Sequence, residues 1–101
     1  MKTVQTKKDV SNIILSHREE IKKIGVKRIG LFSSFVKGKQ KEESDVDLLV
    51  EFIRGRKNFK NFMQLAFFLE ELLHRKVELV TPESLSPYLK PRILKEIKYV
   101  L

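Results

Sequence analysis

Apolar residues recur at three- and four-residue steps through Val10, Ile13, Ile14, Ile21 and Ile24, with His17 on the same stripe. This spacing predicts one amphipathic helix that Gly25 ends at its C′ position. The rhythm then changes. Residues 26–34, VKRIGLFSS, are rich in strand-forming residues and break at the serines, which predicts a first strand. In residues 45–52, DVDLLVEF, the residues Val46, Leu48, Val50 and Phe52 alternate with Asp45, Asp47, Leu49 and Glu51, the period-two pattern of a second strand. A polar loop, RGRKN, leads to a helical face of Phe62, Leu65, Ala66, Leu69, Leu72 and Leu73, flanked by Phe59 and Met63 and read as core packing. Residues 76–80, KVELV, form a short third strand with Glu78 opposite Val77 and Leu79. Thr81 with Pro82 and Glu83, and again Ser86 with Pro87, carry helix-start signals. A last helix is expected to run to the C-terminus with Leu89, Ile93, Ile97 and Val100 on one side, Pro91 either starting or kinking it. The pattern as a whole predicts a small α/β or α+β domain in which helices cover a three-stranded sheet.

Composition narrows the classes. A chain of 101 residues suits one domain, residues 1–101, with one core. The absence of cysteine excludes disulfides, thiolate metal sites and cysteine nucleophiles, and suits a reducing cytoplasm. No apolar run approaches the roughly 18 residues a membrane helix needs, and MKTVQTKKDV has no apolar signal region, so a cytoplasmic protein without membrane attachment is expected. His17 reads as a packed histidine at the core edge, and His74 as a cation near a helix C-terminus.

The net charge of +8 raises a nucleic-acid reading, but its distribution argues otherwise. Residues 42–51 hold five acids and no base, while the rest of the chain is basic on both sides. A charged fraction of 34% also fits a heat-adapted surface. Arg54, Arg56, Lys57 and Lys60 read as a solvated loop and helix start, and only Phe59 and Tyr88 suit base stacking.

The acidic island carries the candidate chemistry. Asp45 and Asp47, two apart on one strand, place both carboxylates on one sheet face, where one or two divalent ions can bridge them to a triphosphate. Without a cation the two charges would repel. Upstream, serines follow a strand where free backbone N–H groups can face an anion, and Gly38 permits a tight loop. Glu78 offers a third carboxylate from a separate strand. Leu49 and Val50 stand where a calcium loop beginning at Asp45 needs oxygen ligands and a glycine, and neither a P-loop nor an H-E-x-x-H motif occurs.

Ser34, ten intervening residues and then Asp45-Val46-Asp47, with LFSSFVKG before and LLVEF after, resemble the G-S-x(10)-D-x-D signature of the minimal nucleotidyltransferases of the DNA polymerase β superfamily. The likeness extends over nearly the whole chain. It implies a small nucleotidyltransferase fold with a three-stranded mixed sheet, and nucleotidyl transfer from ATP with Mg²⁺ as cofactor. It also implies a role for Ser33, Ser34, Lys37 and Gly38 at the nucleotide phosphates, and for Asp45, Asp47 and Glu78 as metal ligands and catalytic residues. Many proteins of this family are antitoxins of small helical HEPN-type toxins, and some transfer AMP to a toxin tyrosine. A toxin of this kind and a nucleoside triphosphate are therefore the implied partners, with nucleic acid not favoured; apart from the resemblance, the C-terminal segment Tyr88–Leu101 is read as the partner contact. A non-catalytic module that neutralises its toxin by complex formation shares the same signature and is the alternative. Two positions depart from the pattern. Ser33 replaces a glycine, which costs about 1–2 kcal/mol if that backbone needs positive φ. Glu78 stands where an aspartate is usual, one methylene longer.

Overall fold

The computed structural model describes residues 7–32 and 45–101. Its strands β1 (Val26–Phe32), β2 (Val46–Phe52), β3 (Val77–Val80) and β4 (Lys98–Tyr99) form one mixed sheet in the order β3-β2-β1-β4. Strand β1 runs antiparallel to both β2 and β4, whereas β2 and β3 are parallel. A parallel pair needs a crossover, and helix α3 (Phe59–Leu73) supplies it.

Period two decides which residues meet the helices. Ile29, Leu31, Val46, Leu48 and Val50 point to one face and are fully buried there with Val10, Ile14 and Ile21 of the N-terminal helices and Leu65, Leu69 and Leu73 of α3. Each such side chain contributes roughly 1.5–3 kcal/mol by leaving water. Leu49 is also fully buried but belongs to the opposite face, outside that cluster.

The expected single N-terminal helix is two: α1 (Lys7–Ser16) and α2 (Arg18–Lys23), separated at His17. His17 has φ −116° and ψ 23°, its Nδ1 donates to the Ile13 carbonyl at 3.0 Å, and its ring meets Phe68 edge-on at 6.2 Å. The apolar stripe continues through the break, which is why the spacing alone concealed it. His17 is half-buried, as its place on the stripe suggests. Gly25 follows with φ +103°, and its carbonyl accepts from Ile53 N–H at 2.7 Å, joining the end of the helical layer to the end of β2.

Helix α3 begins at Asn58, whose side chain accepts from Asn61 N–H at 2.8 Å, and ends at His74 in the left-handed region at φ 53°. His74 thus acts through its backbone as the cap, its N–H donating to the Glu70 carbonyl at 2.9 Å. The Glu70 carboxylate accepts from Val77 N–H at 2.9 Å and ties α3 to β3.

The C-terminus departs further from expectation. Thr81 and Ser84 close a 3₁₀ turn over Pro82–Ser84 through Thr81 N–H to Ser84 Oγ at 3.1 Å. Helix α4 (Leu89–Glu96) then stops short: Ile97 turns extended and Lys98–Tyr99 becomes a fourth strand. The open edge of β1 outcompetes continued helix, because Val100 N–H finds the Ile29 carbonyl at 2.8 Å and Ile29 N–H finds that of Leu101 at 3.3 Å. Pro91 sits in the first turn of α4, where a missing N–H costs nothing.

Candidate active site

Strand β2 presents Asp47, Leu49 and Glu51 on the face away from α1, α2 and α3, with Asp45 one step before the strand on the same parity. In the parallel register Val46 stands beside Val77 and Asp47 beside Glu78, so the third carboxylate predicted from the sequence lies on the same face as the first two. Val46 N–H donates to the Lys76 carbonyl at 2.9 Å and fixes this register at the strand's entrance. Neighbouring strands lie about 4.8 Å apart and residues two apart along a strand about 6.7 Å. Asp45, Asp47 and Glu78 therefore mark three corners of a small anionic field.

Asp45 and Asp47 are half-buried and Glu78 is exposed. Among the described residues, no group of three or more His, Asp or Glu side chains is drawn close enough to hold a metal ion. The three carboxylates share a face and a register without a common coordination sphere. As donors they are all hard oxygen, the type that Mg²⁺ accepts, and Mg²⁺ ordinarily takes one or two carboxylates with the rest of its shell from phosphates and water. Ser33, Ser34, Lys37 and Gly38 lie outside the described residues. Phe32, the last described residue before them, is the β1 partner of Asp47. The chain thus enters that segment directly beside the carboxylate.

The same face carries a cluster that sequence reasoning missed. Arg28 Nε donates to Glu51 Oε2 at 2.6 Å, its guanidinium lies 4.3 Å from the centroid of the Tyr99 ring, and Tyr99 Oη donates to the same carboxylate at 3.5 Å. The hydrogen bond to Glu51 raises the Arg28 guanidinium above its ordinary value. Arg28 and Glu51 are register partners, a signal that exists only once β1 is paired with β2. Next along β1, Gly30 pairs with both Leu49 and Tyr99, and Ile97 packs directly over its Cα.

Two of the cations read as a solvated loop are exposed, as expected, and each also makes one contact. Arg56 Nη2 donates to the Lys23 carbonyl at 2.7 Å, and Lys57 Nζ meets Glu83 at 3.0 Å. Near the latter pair, a pocket of about 450 Å³ is lined by Phe59, Phe62, Leu79 and Thr81. Leu79 faces away from Glu78, so this hollow opens on the helical side and not on the carboxylate face. No helix among the described residues is long and apolar enough to cross a membrane.

A model of the nucleotidyltransferase domain family matches residues 14–100. The protein adenylyltransferase MntA of Thermococcus cleftensis is 38% identical over 96 residues, spanning 94% of this chain and 96% of that protein. A candidate protein adenylyltransferase of Methanocaldococcus jannaschii is 40% identical over 97 residues, covering 96% of each. Among solved structures, a candidate minimal nucleotidyltransferase superposes with a TM-score of 0.72 at 32% identity, over 87% of this chain and 93% of the other. A toxin–antitoxin crystal structure with AMP-PNP superposes with a TM-score of 0.71 at 27% identity, over 90% of this chain and 72% of that one.

Proposed function

This chain belongs to the nucleotidyltransferase domain family, and from that premise we propose that it is an antitoxin that transfers AMP from ATP to a tyrosine of a HEPN-type toxin, with Mg²⁺. The observation that carries the reading is the pairing of Asp47 with Glu78 across β2 and β3, with Asp45 on the same face. The names of the relatives support the donor and the class of acceptor: the Thermococcus protein is a protein adenylyltransferase, and one structural neighbour is a toxin–antitoxin complex with an ATP analogue.

Asp45 and Asp47 are the residues that would hold Mg²⁺, with Glu78 as a third oxygen donor. A bound cation supplies charge neutralisation for the triphosphate and for the leaving pyrophosphate. Ser33, Ser34, Lys37 and Gly38 are assigned to the β and γ phosphates through backbone N–H groups and one ammonium. The tyrosine oxygen attacks the α-phosphorus in line. Its bond to phosphorus forms as the bond from α-phosphorus to the bridging oxygen breaks, pyrophosphate leaves, and the phenolic proton passes to a carboxylate, for which exposed Glu78 is placed at the open side of the pair. No histidine or cysteine is needed.

The test combines the purified chain, Mg²⁺, labelled ATP and the HEPN-type toxin from the same genome. Intact-mass analysis should show one or more AMP increments on the toxin, and Asp47→Asn should abolish them while leaving the complex assembled. Neutralisation of the toxin without any increment, under every nucleotide tried, would overturn catalysis in favour of a binding-only antitoxin.

A further inference from the structure

We propose that Glu70 of α3 is the positioning residue of the carboxylate site: it fastens the link from α3 to β3 at both ends and so holds Glu78 beside Asp47. For what Glu78 does, this rests on the function proposed above; for where Glu78 is held, it rests on the geometry of this chain alone.

The link is three residues long, His74 to Lys76. The Glu70 backbone carbonyl accepts from His74 N–H at 2.9 Å where the link begins, and its carboxylate Oε2 accepts from Val77 N–H at 2.9 Å where the link ends. Between these two bonds the chain turns sharply. His74 has φ 53° and is, among the described residues, the one non-glycine residue at positive φ, a region that a Cβ disfavours. Arg75 beside it is buried, at 8% exposure. Backbone in so sparse a region persists only where its surroundings over-determine it, and Glu70 does so from both sides.

Sheet pairing alone does not call for the carboxylate bond. Strand β3 is the outer strand, and in a parallel ladder only alternate residues bond to the neighbour. The Lys76 carbonyl takes Val46 N–H at 2.9 Å, so Val77 turns its own N–H to the open edge. An edge amide is ordinarily left to water. Here the half-buried Glu70 carboxylate takes that place, in a charge-assisted bond roughly twice as strong as a neutral one.

The effect reaches both strands of the site. Val46 and Val77 are register partners at the start of the parallel pair, and Asp47 and Glu78 follow them directly. Slippage of β3 by one residue would bring an apolar side chain beside Asp47 and send Glu78 toward the core. Repulsion between the two carboxylates works against the native register. Glu70 opposes it by holding the amide next to Glu78.

Hydrogen exchange of the full chain, without metal or nucleotide, tests the hold. In Glu70→Ala the amides of Val77 and Val46 should exchange roughly three- to tenfold faster, as loss of one hydrogen bond implies, while α1 keeps its rates. Glu70→Gln, whose amide oxygen still accepts, should lie nearer the wild type, and Glu71→Ala, an exposed neighbour, should match it. Wild-type exchange at Val46 in Glu70→Ala overturns the proposal. Equal acceleration throughout the chain also overturns it, since that reports lost global stability. Transfer of AMP to the HEPN-type toxin from the same genome tests the use. Glu70→Ala should cut the rate about tenfold or more in the wild-type background, yet cost nothing further in Glu78→Gln, where the residue it positions no longer acts. An equal loss in both backgrounds overturns the proposal. A wild type that transfers no AMP overturns the function proposed above instead, and exchange at Val46 and Val77 then decides for or against Glu70 by itself.

Discussion

Asp47 of β2 and Glu78 of β3 are direct partners in a parallel register, two carboxylates on adjacent strands with Asp45 one pleat away on the same face. Like charges placed opposite one another in a sheet cost about 0.2–1 kcal/mol. In the proposed function a cation at this face would be attracted by both carboxylates.

Substitutions at Glu78 should separate the two effects. Glu78→Gln is expected to raise the stability of the metal-free protein by about 0.2–1 kcal/mol in urea unfolding while cutting AMP transfer. Glu78→Asp keeps the charge and restores the residue usual in the family, so AMP transfer should be kept or raised, unlike in Glu78→Gln. Added Mg²⁺ should raise the melting temperature of the wild type more than that of Glu78→Gln. A Glu78→Gln variant as active as the wild type would remove Glu78 from the site.

Gly30→Ala should be costly for a reason unrelated to backbone freedom. A Cβ at this position overlaps the Ile97 side chain and presses on the Tyr99 ring. Overpacking of this kind costs about 1–3 kcal/mol. The short β4 should yield first, so hydrogen exchange at Lys98 to Leu101 should accelerate more than at α3. Adding Ile97→Ala should recover part of the loss, since the two residues share one contact.

Much of this arrangement was legible in the residues. Period two set Asp45 and Asp47 on one face of β2, and the alternation of Val77, Glu78 and Leu79 did the same for the third carboxylate, because a half-buried strand writes its two faces into its sequence. Helix α3 was legible because Leu65, Leu69 and Leu73 repeat at one turn and all reach the core. What stayed hidden depends on contacts between distant segments. Leu89, Ile93, Ile97 and Val100 keep a helical spacing, yet Ile97 leaves the helix because β1 has an unpaired edge, a fact no local window contains. The break at His17 likewise lacks a glycine or proline to announce it. Strand order, and with it the Arg28–Glu51–Tyr99 cluster, belongs to the same class.

Gly25→Ala should destabilise through two effects at one position. The residue has φ +103°, where an added Cβ costs about 1–2 kcal/mol, and that Cβ would also meet the Arg56 side chain. Arg56→Gly removes the crowding, which begins at the Arg56 Cβ that an alanine would keep, together with the bond to the Lys23 carbonyl, whose loss costs about 0.5–1.5 kcal/mol. The double variant should therefore be more stable than the sum of the single losses implies. Strict additivity in urea unfolding would show that the loop carrying Arg56 gives way freely.

The last prediction concerns acid. The Lys57 ammonium, by hydrogen bond, and the backbone around Glu83 hold the Glu83 carboxyl below its ordinary range. A carboxyl whose folded value lies below its unfolded value binds fewer protons when folded, so the pair's contribution is complete above the unfolded value, near 4.3, and is lost as pH falls through the folded one. Both partners are more than half exposed at 51% and 66%, which limits the contribution to the roughly 0.2–1 kcal/mol of a surface pair. Lys57→Ala should therefore flatten part of the decline in stability below pH 4.3 while leaving neutral-pH stability within that margin. In 1 M salt, where the screening length shrinks to about 3 Å, wild type and variant should converge. An acid limb that Lys57→Ala leaves unchanged would mean that the backbone contacts of Glu83, and not the ion pair, fasten the 3₁₀ turn to the start of α3.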